Sequence, residues 1–198
     1  MNKVLETNGL IIHLDENNNI IEDVRDLYKN TPYAQYYAIA VNRKFMQLTV
    51  YRYNPKEFKY NIPLVSFPIS CNYTRTPLGT HRTTDKYRWH LLMGGHWGQY
   101  CTRYSTKVLF HSVLYSTPSN IALETETYNG ILYKLQSSGC IRLRTQDAKW
   151  IYENIPYNSL VVVYDGFEES PFKRPTFEKI DSNQKFDPTD MEVNYGRS

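Results

Sequence analysis

The chain has 198 residues, of which 41% are hydrophobic and 22% charged. That is enough apolar material for one sizeable core, and it excludes global disorder. The net charge is only +3, from 23 basic and 20 acidic side chains, so no nucleic-acid partner is expected, since such binders concentrate a basic face. Three cysteines, Cys71, Cys101 and Cys140, are too few and too unevenly spaced for a disulfide framework or a CxxC zinc site. Cys71 and Cys101 could pair if their strands are adjacent. No run of 18 apolar residues occurs, so no membrane-spanning helix is expected. The first twenty residues do not read as a secretory signal; the protein is cytoplasmic, or the chain begins after a removed signal or anchor.

Along the chain, residues 1–33 read as a peripheral segment. It holds an Asn-rich turn at Asn17–Asn19, a short helix near Ile21–Leu27 and a stop at Thr31-Pro32. Tyr37–Val41 and Phe45–Tyr53 are rich in aromatic and β-branched residues and read as a hairpin turning at Asn42-Arg43. Leu64–Ser70 is a third strand, weakened by Pro68. Shorter strands follow near Tyr87–Met93, Gly98–Arg103 and Lys107–His111. One helix is clear, Thr145–Ile155, with a capping-type Thr, an early Asp147 and Ala148, Ile151 and Ile155 on one face; Pro156 ends it. Leu160–Tyr164 is then a buried strand. Residues 166–198 are polar, contain three prolines and show no periodicity, as a surface-draped or loose tail would. The sum is a mainly β domain over residues 34–165.

The sharpest chemical feature is Ser137-Ser138-Gly139-Cys140-Ile141-Arg142-Leu143, just before the Thr145 helix. A thiol near a helix N-terminus is favoured as thiolate by the dipole and by free backbone N–H groups. Gly139 allows close backbone approach, and the amides of Gly139 and Cys140 could stabilise an oxyanion. His111, at the end of the Val108–Phe110 strand, is the candidate base. A lone cysteine is also compatible with a buried apolar filler. His90 and His96, with His81 nearby, fit a zinc pattern only loosely, and no metal is expected. His96, within Gly94-Gly95-His96-Trp97-Gly98, could line a cleft.

Phe110-His111-Ser112, followed after a long gap by Ser137–Leu143, resembles the signature of the bacterial L,D-transpeptidase catalytic domain family (YkuD-like). Thr76-Pro77-Leu78-Gly79-Thr80 is similar to its upstream turn and strand, and Asp147–Tyr152 with Leu160–Tyr164 to its closing helix and strand. The resemblance implies an L,D-transpeptidase-like β-sandwich of mixed sheets with one prominent helix after the Cys loop. It implies that Cys140 is the nucleophile, that His111 is the general base that activates it and later the incoming amine, and that an oxygen of Ser112 orients its imidazole. Gly139 and Cys140 would form the oxyanion hole. Arg142 would brace the loop or bind a substrate carboxylate. Ser137, Ser138, His96 and Tyr133 would line the substrate cleft. Ser138 stands where the family usually has a histidine, leaving His111 as the base of that segment. The stretch Tyr115–Leu135 would be a lid, with Tyr128 and Tyr133 as cover, or an ordinary surface loop.

The implied activity is transfer of an acyl group from a peptidoglycan tetrapeptide stem to the side-chain amine of a second stem. The donor loses its terminal D-Ala, a thioester is the intermediate, and the product is a 3→3 cross-link. No cofactor is implied. The partners would be donor and acceptor stem peptides, the place of action the bacterial cell wall or surface, and the acylating inhibitors carbapenems. Hydrolysis of the same bond, an L,D-carboxypeptidase activity, and a non-catalytic wall-binding module are the alternatives.

Overall fold

A computed structural model describes residues 3–7, 10–14, 36–54, 56–167 and 171–194. The chain is mainly β, with mixed sheets. The expected turn at Asn17–Asn19 and helix at Ile21–Leu27 lie outside the described residues. Two units divide the chain, each assembled from three separate segments.

The first unit takes residues 1–67, 77–84 and 155–175. Its strands β1 (Lys3–Thr7) and β2 (Leu10–Leu14) pair antiparallel. A five-stranded sheet runs in the order β5-β4-β3-β11-β6, formed by β5 (Lys59–Pro68), β4 (Gln47–Asn54), β3 (Tyr37–Asn42), β11 (Leu160–Tyr164) and β6 (Gly79–Arg82). The expected hairpin is β3 and β4, antiparallel from Tyr37↔Arg52 to Asn42↔Gln47. β3 and β11 are the central, parallel pair. Both read as unbroken apolar runs rather than alternating ones, as parallel strands covered on both faces do. β5 starts five residues earlier than expected and lies at the sheet edge, where Pro68 at its end removes no needed donor. Ala38, Ala40, Tyr51, Tyr60, Leu160, Val162 and Tyr164 form one apolar cluster.

The second unit takes residues 68–76, 85–154 and 176–198. Its sheet runs β10-β9-β8-β7, from β7 (Lys86–Leu91), β8 (Trp97–Ser105), β9 (Val108–Ser112) and β10 (Ile141–Leu143). β7, β8 and β9 form an antiparallel meander, whereas β10 joins β9 in parallel. A parallel neighbour needs a crossover connection, commonly carrying a helix. That requirement accounts for the long stretch between His111 and Cys140. It carries α1 (Thr125–Leu132), whose Tyr128 and Ile131 are buried with Val113, Tyr115 and Leu123. The expected helix is α2 (Thr145–Asn154), with Ala148 and Ile151 fully buried. A short α3 (Met191–Asn194) ends the described chain.

Candidate active site

The parallel pairing of β9 and β10 sets Arg142 opposite His111 and Ile141 opposite Phe110. Side chains alternate along a strand, and register partners share a face. Phe110 and Ile141 point into the core, both fully buried, so His111 and Arg142 emerge on the other face. Cys140, two residues before Arg142, returns to that face. Cys140, His111 and Arg142 all line a cavity of about 590 Å³ that lies wholly within the second unit. The volume suits a peptide-sized ligand. Arg75, Arg103 and Lys107 line it too, with no carboxylate among its walls.

The loop bearing Cys140 is tied from both sides. Thr76 Oγ1 donates to the Gly139 carbonyl at 2.7 Å, and Asn72 Nδ2 to the Ser137 carbonyl at 2.8 Å. The Ser137 amide donates to Cys71 O at 3.0 Å. Ser137 Oγ donates to the Cys140 carbonyl at 2.5 Å and accepts the Gly139 amide at 3.1 Å. Gly139 has φ +136°, and a Cβ there would lie 3.4 Å from Arg75 Cβ, so the position needs glycine. Its amide is therefore turned into the loop. Of the two amides expected to receive an oxyanion, only that of Cys140 donates to nothing among the described residues. Ser137 likewise uses its hydroxyl within the loop.

The thiol does not sit at a helix N-terminus. β10 separates Cys140 from α2, and the first amide of α2, on Thr145, donates to Asp187 Oδ2 at 2.7 Å. The positive end of that helix is met by a carboxylate from the C-terminal segment. Burial pushes the Cys140 thiol above its ordinary value. A backbone hydrogen bond from Leu109 and the charges of Arg142 and Arg103 pull in the other direction. His111 is 1% exposed. Burial, then the Arg142 charge, lower its pKa to about 3. The pair rests as neutral thiol and neutral imidazole.

His111 Nδ1 lies 2.5 Å from the Ser112 backbone carbonyl. A carbonyl only accepts, so Nδ1 carries the proton and Nε2 keeps its lone pair. The orienting oxygen of Ser112 is thus its backbone oxygen; its hydroxyl accepts from the Gln99 amide at 2.9 Å and donates to Val113 O at 2.7 Å. Arg142 braces the loop only through its backbone, which exchanges two hydrogen bonds with Ser70. Its side chain is half-buried, and its Nε has no partner. A half-buried guanidinium with an unpaired Nε, lining a cavity, is a ready receptor for a carboxylate.

The sequence matches the YkuD family of L,D-transpeptidase catalytic domains over residues 36–163. The chain belongs to this family. The L,D-transpeptidase candidate YciB of Bacillus subtilis (strain 168) is 46% identical over 55 residues, covering 28% of this chain and 27% of that protein. The chain thus matches about a quarter of that curated relative's length. An L,D-transpeptidase from Mycobacterium smegmatis superposes with a TM-score of 0.50 at 15% identity, covering 81% of this chain and 65% of its own. A fused Zn-dependent amidase/peptidase/peptidoglycan-binding domain protein from Clostridium acetobutylicum gives a TM-score of 0.47 at 20% identity, covering 73% and 61%.

Within this L,D-transpeptidase domain, the remaining expected residues separate clearly. Ser138 is exposed and lines the cavity, as does His96. Tyr133 is exposed but is not among the lining residues, and Tyr128 is buried in the apolar cluster around Tyr115. Tyr128 is directed by α1 into the core of its own unit rather than over the cleft. Cys71 and Cys101 are separate buried thiols. His90 lines the cavity and stacks on Tyr87 at 4.5 Å. His81 sits 3.3 Å from the Pro77 carbonyl. No group of three or more metal-type ligands occurs among the described residues.

Three residues escaped sequence reasoning. Gly98 on β8 faces His111: a Cβ there would lie 3.1 Å from both Cβ and Nδ1 of the histidine. Gln99, next to it, donates from Nε2 to Asp190 Oδ2 at 3.0 Å, joining the C-terminal segment to the shell around Ser112. Glu124, just before α1, holds His96 Nδ1 at 2.6 Å. The glycine was visible within Gly94–Gly98, but its close approach to His111 exists only in the folded sheet.

Proposed function

We propose that this chain is a cysteine-dependent L,D-transpeptidase that forms 3→3 cross-links between peptidoglycan stem peptides, outside the cytoplasm. The observation that carries this reading is one cavity lined together by Cys140, His111 with a free Nε2, and Arg142, whose Nε is buried without a partner. The donor carbonyl preceding D-Ala enters with its oxygen toward the Cys140 amide. Arg142 takes a stem carboxylate by a two-pronged, charge-assisted contact. His111 Nε2 accepts the thiol proton as sulfur attacks, then passes it to the departing D-Ala amine. A thioester remains on Cys140. The side-chain amine of a second stem attacks that thioester, forms the new amide and releases sulfur.

The neutral resting pair fits this sequence of events. The proton moves only when a carbonyl is in place to receive the sulfur, which is general-base catalysis rather than a standing ion pair. The test is incubation of the full chain with a disaccharide-tetrapeptide, followed by mass spectrometry. Release of D-Ala with appearance of a cross-linked dimer is the expected result, absent in Cys140→Ala. Tripeptide without dimer identifies hydrolysis instead, and no change in the wild-type mixture refutes the enzymatic reading.

A further inference from the structure

We propose that His96, held by Glu124, is the base that takes the proton from the acceptor amine, a task separate from that of His111. The inference rests on the transferase reading above and assigns its second half-reaction. The two imidazoles line the same cavity in contrasting settings. His111 is deeply buried, beside the Cys140 loop. The His96 side chain is 42% exposed, on the turn joining β7 to β8. It is thus open to the solvent from which a second substrate arrives.

Three features build this second dyad. His96 Nδ1 lies 2.6 Å from Glu124 Oε1, so Nδ1 carries a proton and Nε2 is the nitrogen left to take one from the amine. A carboxylate on one ring nitrogen fixes the tautomer and stabilises the imidazolium formed at the other. Next, Glu124 occupies the N-cap of α1 yet makes no side-chain capping bond. Residues at that position commonly cap the helix; here the carboxylate is turned to His96 instead. Both partners are pinned by backbone bonds, Glu124 N to Leu114 O at 2.9 Å and Leu92 N to His96 O at 2.7 Å. Last, a Cβ on Gly94 would come within 3.3 Å of His96 Nε2. Glycine in that turn, with φ +89°, keeps a side chain from crowding the Nε2 edge of the ring.

The chemistry supplies the need. A side-chain amine is mostly ammonium near neutrality, with an ordinary pKa of about 10.4, and its first proton is lost to water. The amine then attacks the thioester carbonyl. The C–N bond forms, the C=O π pair moves to oxygen, and the N–H proton passes to His96 Nε2. The oxygen pair re-forms C=O, the C–S bond breaks, and Cys140 departs as thiolate and takes a proton from water. His96 returns its own proton to solvent. No other reactant is required.

The test uses the full chain with a tetrapeptide stem as both donor and acceptor. Single-turnover D-Ala release reports acylation, and dimer formation reports transfer. In His96→Gln, transfer is expected to fall by about 10²-fold or more relative to D-Ala release, the usual range for loss of a general base. The acyl-enzyme mass should then accumulate. Glu124→Gln keeps a hydrogen-bond acceptor without the charge and should fall in between. If transfer and D-Ala release fall together, or transfer is unchanged, the inference is overturned while the transferase reading stands. If wild type neither releases D-Ala nor forms an adduct at Cys140, both are overturned.

Discussion

Cys140 and His111 face one cavity as an uncharged pair, and that state decides how the site should respond to reagents and to acid. The thiol is raised by burial, so alkylation of the ligand-free protein should be slow at neutral pH. It should accelerate only in alkali, without a histidine limb, because a group lowered to about 3 does not titrate near neutrality. Slow alkylation therefore does not separate an enzyme from a wall-binding module; covalent capture does. A carbapenem should add its mass to wild type and not to Cys140→Ala, and equal labelling of both would remove Cys140 from the nucleophile's role. Acid should also reach His111 through folding. Its folded pKa of about 3 lies below the unfolded value of 6.5, so the unfolded chain binds the extra proton between them. This contribution is present above pH ~6.5 and is lost as pH falls toward 3, by about 1.4 kcal/mol per pH unit. Asp147 and Asp190, raised by burial, act in the opposite sense at the lower end of that window. Urea unfolding of wild type against His111→Asn isolates the histidine: the variant should show the shallower decline, and parallel curves would contradict the buried, neutral assignment. Cys140 and His111 were legible in the sequence as a thiol ahead of a helix and a histidine ending a strand, and Arg142 through the resemblance to the family. Their charge states were not, because burial depends on pairing between strands far apart in the chain, and because adjacency to Thr145 in sequence was not adjacency to a helix terminus in space.

At the level of elements, the site is a product of sheet register. β9 and β10 in parallel bring His111 and Arg142 to one face, and the antiparallel β8 sets Gly98 under the imidazole. Hydrophobic runs revealed the strands, and Pro156 and Ala148 revealed α2. The parallel choice for β10 was hidden, since three residues of strand carry no periodicity that distinguishes direction. The same blindness left the crossover containing α1 to read as a lid or an ordinary surface loop. Gly98 offers the sharpest test of this register. Its backbone needs no glycine, because its φ lies outside the left-handed region, so Gly98→Ala should fold. The added methyl would lie 3.1 Å from His111 Cβ and Nδ1, and must push the ring off the Ser112 carbonyl. Overpacking of this kind costs about 1–3 kcal/mol. We expect D-Ala release to fall at least tenfold, since small misplacements of a catalytic group are costly. Melting should drop only modestly, and unchanged turnover would mean that the ring tolerates the shift. Gly98→Ser should be no better.

On the scale of the whole chain, the second unit is closed by residues that the sequence presented as a polar tail. Residues 176–194 return to it with Phe177 edge-on to Tyr128 at 5.0 Å and Asn129 paired with Ile180 in both directions. Asp190 bonds Gln99, and Glu192 bonds Tyr100 Oη at 2.6 Å and Arg88 at 2.6 Å. These contacts rest on carboxylates and single aromatics rather than on a periodic apolar face, which is why pattern reading passed over them. Asp187 is the centre of the arrangement. It is fully buried, caps the Thr145 amide through Oδ2 and holds the Thr189 amide and hydroxyl through Oδ1, at 2.8 and 2.7 Å. Asp187→Ala leaves a buried helix-terminal amide without an acceptor. Loss of a cap costs about 1 kcal/mol, and an orphaned buried donor about 1–3 kcal/mol. A combined loss of about 2–3 kcal/mol lowers Tm by roughly 4–12 °C for a domain of this size. Asp187→Asn, which keeps a carbonyl oxygen for Thr145, should recover at least half of it. Ending the chain at Pro175 removes every one of these bonds and uncovers Tyr128, so it should destabilise more than Asp187→Ala and expose apolar surface to dye binding. If the truncated chain melts with wild type and keeps D-Ala release, the segment is ornament on the domain; if it melts early while Asp187→Asn stays near wild type, the returning carboxylates are part of what holds α2 and the Gln99–Ser112 shell in place.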